Sequence, residues 1–129
     1  MSSTVGKRRQ STRARCVTSS QPYQRADIVA HPAPFKNPPK HRYFVILSDD
    51  SHPFHGEEYA VVALTSKQRP EAIEIEDDDW RFGAPRGDSY ASPWYVFTIK
   101  HADISNPQGS ITDQKANEIA QEAASYLGV

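Results

Sequence analysis

The chain has 129 residues, of which 37% are hydrophobic and 24% charged, and a formal net charge of −1. This length suits one domain that buries enough surface to fold without a metal or a disulfide framework. A single cysteine, Cys16, excludes an internal disulfide. The longest apolar run, residues 43–47, is too short to cross a bilayer, and no apolar signal-peptide core is present. We therefore expect a soluble, cytoplasmic protein without membrane association.

Charge is distributed unevenly along the chain. Residues 1–20 carry five cations and no acid, so this segment is +5 and the rest of the chain is −6. The segment holds too few apolar side chains to offset the entropy of ordering it. We predict a disordered basic tail over residues 1–22 and one folded domain over residues 23–129. The alternatives for the tail are a nucleic-acid arm or a targeting peptide, but no hydrophobic periodicity supports a targeting helix.

Five short strands are predicted, and between the first two lies a Pro-rich loop that cannot join a ladder. The continuous apolar character of the second and third strands indicates burial on both faces, whereas the fourth alternates strictly and indicates one exposed face. A capped helical turn is predicted after the fourth strand, at residues 77–80. In chain order the strands are residues 27–30, 42–48, 58–66, 71–76 and 92–100, and the loop is residues 31–40.

The C-terminal segment has helical rather than strand periodicity. Thr112 is a suitable N-cap, Asp113 lies in the first turn where the helix dipole favours an acid, and Gly128 ends the helix. One face of this helix is apolar, at Ala116, Ile119, Ala120, Ala123 and Leu127. The fold class is therefore mainly β with a C-terminal helix, arranged as a small barrel with the helix packed on its side.

Several kinds of site are not indicated by the sequence. There is no Walker loop, dinucleotide fingerprint, CxxC pair or HExxH helix, and the six glycines do not cluster. We therefore predict no cofactor. His52 and His55 lie three residues apart and are candidates for proton transfer, for metal binding or for packing. A zinc site would need a third ligand, and no second His/Cys pair has suitable spacing, so no metal site is predicted.

Two residues at strand ends form a chemically useful pair. Arg42 begins the second strand and Thr65 lies at the end of the third. If these strands are antiparallel neighbours, both side chains lie at the same edge of the barrel. A guanidinium offers a forked, permanently charged donor to a phosphate, and a nearby hydroxyl adds a hydrogen bond as negative charge develops.

Several short segments, taken together in order, resemble the PemK/MazF family of toxin–antitoxin ribonucleases, and the resemblance extends over most of residues 25–129. Two features depart from the family pattern. Ala26 stands where the family has Gly, which predicts a different local turn, and Tyr43 stands where it has Pro after the arginine. The segments that carry the resemblance are residues 27–29, 42–48, 59–66, 73–75, 88–89 and 109–112 with the closing helix.

The resemblance implies an SH3-like barrel (PemK/MazF-like, CcdB-like) that forms a homodimer and is blocked by a cognate antitoxin. It also implies cleavage of single-stranded RNA without metal, by attack of the ribose 2′-hydroxyl on the adjacent phosphate. Arg42 matches the residue that binds this phosphate, and Thr65 matches the hydroxyl that polarises it. With the antitoxin, the protein would also bind operator DNA. The alternative is a non-catalytic SH3-like barrel that binds DNA or a protein partner.

Five further residues are candidates for substrate binding. Trp94, with Tyr95 beside it, is placed to stack on a base, although alternate residues of this strand also belong to the core. Ser48 is a candidate to orient a phosphate, with a turn contact as the alternative. The predicted substrate-binding set is Ser48, His52, His55, Ser66 and Trp94.

Overall fold

The computed structural model describes residues 21–32, 41–83 and 88–128. Residues 1–20 and most of the predicted Pro-rich loop lie outside these ranges, so the division into tail and domain stays a prediction. The described residues form seven strands, two 3-10 turns (Asp77–Asp79 and His101–Asp103) and one α-helix. These are β1 (Asp27–Pro32), β2 (His41–Ile46), β3 (Glu58–Thr65), β4 (Ile73–Ile75), β5 (Trp80–Phe82), β6 (Ser89–Lys100), β7 (Asn106–Ile111) and α1 (Asp113–Tyr126).

All seven strands belong to one antiparallel sheet in the order β4-β6-β3-β2-β1-β7-β5. Strands β4 and β5 lie at opposite edges of this order, yet only residues 76–79 connect them. So short a connection requires the two edges to approach each other, and the sheet therefore curls into a nearly closed barrel. This confirms the predicted fold class.

The sheet has a buried cluster on each face. The first cluster packs against α1 and includes Val62 of β3. The second cluster includes Tyr59 and Val61 of the same strand, together with Phe44 of β2. Strand β3 thus supplies side chains to both clusters, as its continuous apolar run predicted. The face that carries the second cluster is here called the outer face.

The prediction of five strands is wrong, because β5 and β7 were not anticipated. Strand β7 contains Pro107 and Gly109, which both disfavour a strand, and its pairing with β1 shifts register between Ile28 and Val29. Strand β5 has only three residues. Strand β1 also continues to Pro32, and β6 begins three residues earlier than predicted, at Ser89. Pairing with neighbouring strands outweighs the weak local preference of these segments.

The predicted helix and its N-terminal cap are confirmed. The Thr112 side chain accepts a hydrogen bond from the Lys115 backbone N–H at 3.2 Å, and Ala116, Ile119 and Ala123 are buried. Leu127 does not join this buried face, because it is 71% exposed. The predicted turn after the fourth strand is the 3-10 turn at Asp77–Asp79, which begins with a capping box. Within the described ranges, no helix is long and apolar enough to cross a membrane.

Ala26 adopts a backbone conformation that normally favours glycine. Its φ is +83° and its side chain is fully buried. Its N–H donates to the carbonyl of Ile46 at 2.8 Å, and its carbonyl accepts from the N–H of Ile111 at 2.9 Å. The bonds to β2 and β7 hold the backbone in this strained region. Alanine therefore occupies a left-handed backbone position that normally favours glycine, and the predicted difference from the family's turn stays a prediction.

The opposing effects at Ala26 lead to a stability prediction. In Ala26→Gly, relief of about 1–2 kcal/mol of left-handed strain opposes the loss of a buried methyl group and the added chain entropy, each about 0.8 kcal/mol. We expect the free energy of unfolding, measured by urea denaturation, to change by less than about 1 kcal/mol. Ala26→Val should destabilise by more than about 2 kcal/mol, because a β-branched residue resists positive φ.

Ala30→Gly is the matched control, since Ala30 is buried in β1 without positive φ. It should lose about 1.5 kcal/mol, because no strain is relieved there. If both glycine variants lost the same stability, Ala26 would not be strained.

Candidate active site

The hairpin of β2 and β3 brings Arg42 and Thr65 to one place. The paired residues are Phe44 with Ala63 and Ile46 with Val61. The pairing ends at Phe44 and Ala63, and Arg42 and Thr65 each lie two residues beyond that last pair, at the same end of the hairpin. Both side chains line one open groove of about 340 Å³ on the outer face.

The groove exists because β6 loses register with β3. Val62 pairs with Val96, but the next residue, Ala63, pairs with Ser92. Residues 93–95 therefore have no partner in β3 and form a bulge. Pro93 suits this position because it has no N–H to donate to a ladder. The small Ala63 side chain between Phe44 of β2 and this bulge leaves the space that the groove occupies.

The groove is also lined by two cations that were not among the residues predicted from the sequence. Lys67 and Arg69 follow β3 in the segment that crosses β6 to reach β4. With Arg42 they give three cations, and no Asp or Glu is present among the described residues that line the groove. The signal in the sequence was the basic Lys-Gln-Arg stretch directly after the third strand, but only the crossing places it over the groove.

Both members of the pair are available to a phosphate. Thr65 Oγ1 accepts from the Lys67 backbone N–H at 3.1 Å, so its own proton can be donated into the groove. Arg42 is exposed and forms no salt bridge with Asp27 or Glu57, since the salt bridges among the described residues all involve Lys115.

Of the other predicted substrate-binding residues, some line the groove and others do not. Trp94 lines the groove. Ser66 is exposed next to Thr65 but is not part of the groove lining. Ser48 Oγ accepts from the Ala60 backbone N–H at 3.0 Å, a contact across the β2–β3 hairpin at the end of β2, and Ser48 does not line the groove.

His52 and His55 lie at the opposite end of β3 from Thr65. They precede the first residue of this strand, and eight strand residues span about 23 Å. They are therefore too distant to act on a phosphate bound at Arg42. His52 Nδ1 accepts from the Phe54 backbone N–H at 3.0 Å, a local turn contact. Within the described part of the chain, no group of three or more His, Cys, Asp or Glu residues is arranged to hold a metal.

His55 instead packs in an aromatic cluster around Tyr59. Its ring lies edge-on to Tyr59, with centroids 5.7 Å apart. The Tyr59 hydroxyl accepts from the Tyr23 backbone N–H at 3.0 Å and lies 2.7 Å from His101 Nδ1. Burial raises the pKa of the Tyr59 phenol above its usual value of 10.0. This cluster attaches the segment before β1 to the barrel.

The raised pKa of Tyr59 predicts a dependence of stability on alkaline pH. The unfolded chain loses the phenol proton near pH 10, before the folded protein does, so this contribution is complete below pH 10 and is lost as pH rises through the higher folded pKa. We expect Tyr59→Phe to be less stable at pH 7 by about 1–3 kcal/mol, because it leaves polar partners unsatisfied. Its unfolding free energy should fall less steeply above pH 10 than that of the wild type.

Tyr126→Phe is the control, because Tyr126 is 48% exposed. Chemical denaturation across pH 7–11 measures both variants. Parallel wild-type and Tyr59→Phe profiles above pH 10 would contradict the assignment.

The fold and the groove define a small antiparallel barrel with a cation-lined outer face. A comparison with known protein families identifies the family to which this barrel belongs. A sequence model described as the PemK-like, MazF-like toxin of type II toxin–antitoxin systems matches residues 24–127. The chain therefore belongs to this toxin family. None of the curated proteins compared with the chain matches it.

Three solved structures from mycobacteria share this fold. One is an endoribonuclease in complex with its cognate antitoxin from Mycobacterial species, at 17% identity over 85% of this chain and 97% of that one, with TM-score 0.66. A second is an endoribonuclease from Mycobacterial species, at 18% identity over 87% and 97%, with TM-score 0.66. The third is Mycobacterium tuberculosis toxin MazF-mt6, at 16% identity over 78% and 97%, with TM-score 0.58.

Proposed function

We propose that this protein is an endoribonuclease toxin that cleaves single-stranded RNA without a metal ion. The observation that carries the proposal is the position of Arg42 and Thr65 in one open groove. Membership of the PemK/MazF-like toxin family supports it, as do the endoribonucleases among the structures that share its fold. The alternative of a non-catalytic barrel is less favoured, because Arg42 faces the groove rather than an acid in the described part of the domain.

The proposed reaction is an internal transesterification. The ribose 2′-oxygen bonds to the adjacent phosphorus and the bond to the 5′-oxygen breaks. The 2′-hydroxyl loses its proton and the departing 5′-oxygen gains one, so the products are a 2′,3′-cyclic phosphate and a 5′-hydroxyl. Arg42 binds the non-bridging phosphate oxygens through its forked donors and stabilises the charge that develops on them. Thr65 donates a hydrogen bond to the same phosphate.

Local charge allows an acidic domain to bind RNA. The chain beyond residue 20 has a net charge of −6, but the groove carries Arg42, Lys67 and Arg69. Lys67 and Arg69 bind the phosphates that flank the reacting one, which fixes the position of the RNA without reading its sequence. Affinity should therefore fall with salt, with a slope near 0.7 for each phosphate that is neutralised.

The Arg42→Ala variant tests the catalytic assignment. We expect cleavage of a single-stranded RNA in the presence of EDTA to fall by about 10²–10³-fold, as when an oxyanion donor is removed. Arg81→Ala is the matched control, because Arg81 is an exposed arginine on β5 outside the groove. A substrate with 2′-O-methyl groups at the cleavage site should stay intact. Equal cleavage by the Arg42→Ala variant and the wild type, or cleavage that requires a metal, would refute the proposal.

Substitutions of Thr65 separate its hydroxyl from its shape. Thr65→Ser keeps the donor and should cleave at close to the wild-type rate. Thr65→Val removes the donor and should lower kcat by about ten- to a hundredfold, because a hydrogen bond to a charged group contributes about 1.5–3 kcal/mol. Single-turnover kinetics measure the rates, and urea denaturation controls for loss of the contact with the Lys67 N–H. A Thr65→Val enzyme as fast as the Thr65→Ser enzyme would remove Thr65 from the mechanism.

The proposal includes a protein partner. One structure with this fold is an endoribonuclease held by its cognate antitoxin, and we propose that a cognate antitoxin likewise binds this chain. The homodimer, the cytoplasmic location and the binding of operator DNA with the antitoxin are further parts of the proposal, and they rest on the family resemblance.

A further inference from the structure

We infer that the bulge at residues 93–95 of β6 is a nucleobase-stacking site, in which Trp94 and Tyr95 stack on the base next to the phosphate bound by Arg42. This inference deepens the proposed function and rests on it. In this proposal the bulge selects the nucleotide that lies beside the reacting phosphate.

The bulge presents two aromatic rings to solvent on a rigid support. Pro93 is fully buried and anchors it, whereas Trp94 is 37% and Tyr95 is 41% exposed. Because the bulge has no partner in β3, its side chains are not restricted to the alternating directions of a regular strand. Both rings line the groove.

Neighbouring rings hold these two side chains in place. The Tyr95 and Phe97 centroids are 4.5 Å apart with an angle of 36° between their planes, and Phe97 packs edge-on against Phe44 at 5.7 Å. Trp94 packs edge-on against Tyr126 of α1 at 6.3 Å. Rings that are already ordered lose little conformational freedom when a base stacks on them.

The groove is lined by cations and by aromatic rings. Arg42, Lys67 and Arg69 supply positive charge, while Trp94 and Tyr95 supply aromatic surface. Cations that follow the backbone, combined with rings that stack on bases, are the means by which proteins bind single strands. Three cations beside two aromatic rings match the phosphates and the bases of a single strand, so the lining favours a nucleic acid over a purely apolar protein partner.

The spacing fits a phosphate and a neighbouring base. Arg42 and Thr65 lie two residues along their strands from Phe44 and Ala63, a step of about 7 Å. A phosphate bound at Arg42 and Thr65 therefore places a neighbouring base above Phe44 and Ala63, beside the bulge. Ala63 contributes only a methyl group there, which leaves room for a flat ring.

Binding of a non-cleavable oligonucleotide tests the inference separately from catalysis. The probe is a fluorescein-labelled 2′-O-methyl RNA, compared with versions that carry one abasic residue at successive positions. We expect the wild type to bind the full probe more tightly than one of the abasic versions. Trp94→Ala and Tyr95→Ala should each weaken binding of the full probe by about ten- to a hundredfold and reduce the difference between full and abasic probes.

Two further variants serve as controls. Trp94→Phe should keep most of the affinity, because it keeps an aromatic face. Phe54→Ala should bind like the wild type, because Phe54 is a 54% exposed ring in the loop before β3 and does not line the groove. Tyr95 provides a second variant if Trp94→Ala fails to fold.

The outcomes separate this inference from the proposed function. Base-dependent binding that requires Trp94 or Tyr95, in a protein that does not cut RNA, would support the stacking site and refute the proposed cleavage. RNA cleavage with unchanged affinity and unchanged abasic discrimination in both alanine variants would overturn the stacking site alone. Loss of antitoxin binding with intact probe binding would assign the two rings to protein recognition and would also overturn it.

Discussion

The pairing of β3 with its two neighbours is the constraint on which the rest of the structure depends. On one side β2 pairs with it without a shift as far as Phe44 and Ala63, and Arg42 and Thr65 line one groove two residues beyond that pair. On the other side β6 shifts register between Val62 and Ala63 and releases three residues as a bulge. The regular side positions the two candidate catalytic groups, and the irregular side opens the space that they face. A fully regular sheet would place the same residues on a surface without a groove.

Charge and shape cooperate at this groove. Three cations converge there although the chain beyond residue 20 carries an excess of acids. Their convergence depends on a crossing, because the segment after β3 must pass β6 to reach β4. A local cationic lining can attract a phosphate backbone while the surrounding acids disfavour binding elsewhere. The net charge of a domain is therefore a weak guide to its ligand when the topology gathers one sign of charge in one place.

Ala26 shows how a tertiary contact overrides a local preference. Alanine disfavours positive φ, yet hydrogen bonds to β2 and β7 hold Ala26 there. Strand β7 shows the same effect, since Pro107 and Gly109 both disfavour a strand that nevertheless pairs with β1 on one side and β5 on the other. In both cases the neighbouring strands supply the free energy that the local sequence lacks.

The sequence by itself determined the class of fold, the long strands, the capped helix and the candidate pair Arg42 and Thr65, because these follow from periodicity, capping and motif order within short segments. The tertiary structure alone decided the two weak strands, the separation of His52 and His55 from the groove, and the presence of Lys67 and Arg69 within it. The physical reason is that strand register and chain crossings join residues far apart in the sequence. Their proximity is set by pairing across the whole sheet, and no local pattern records it.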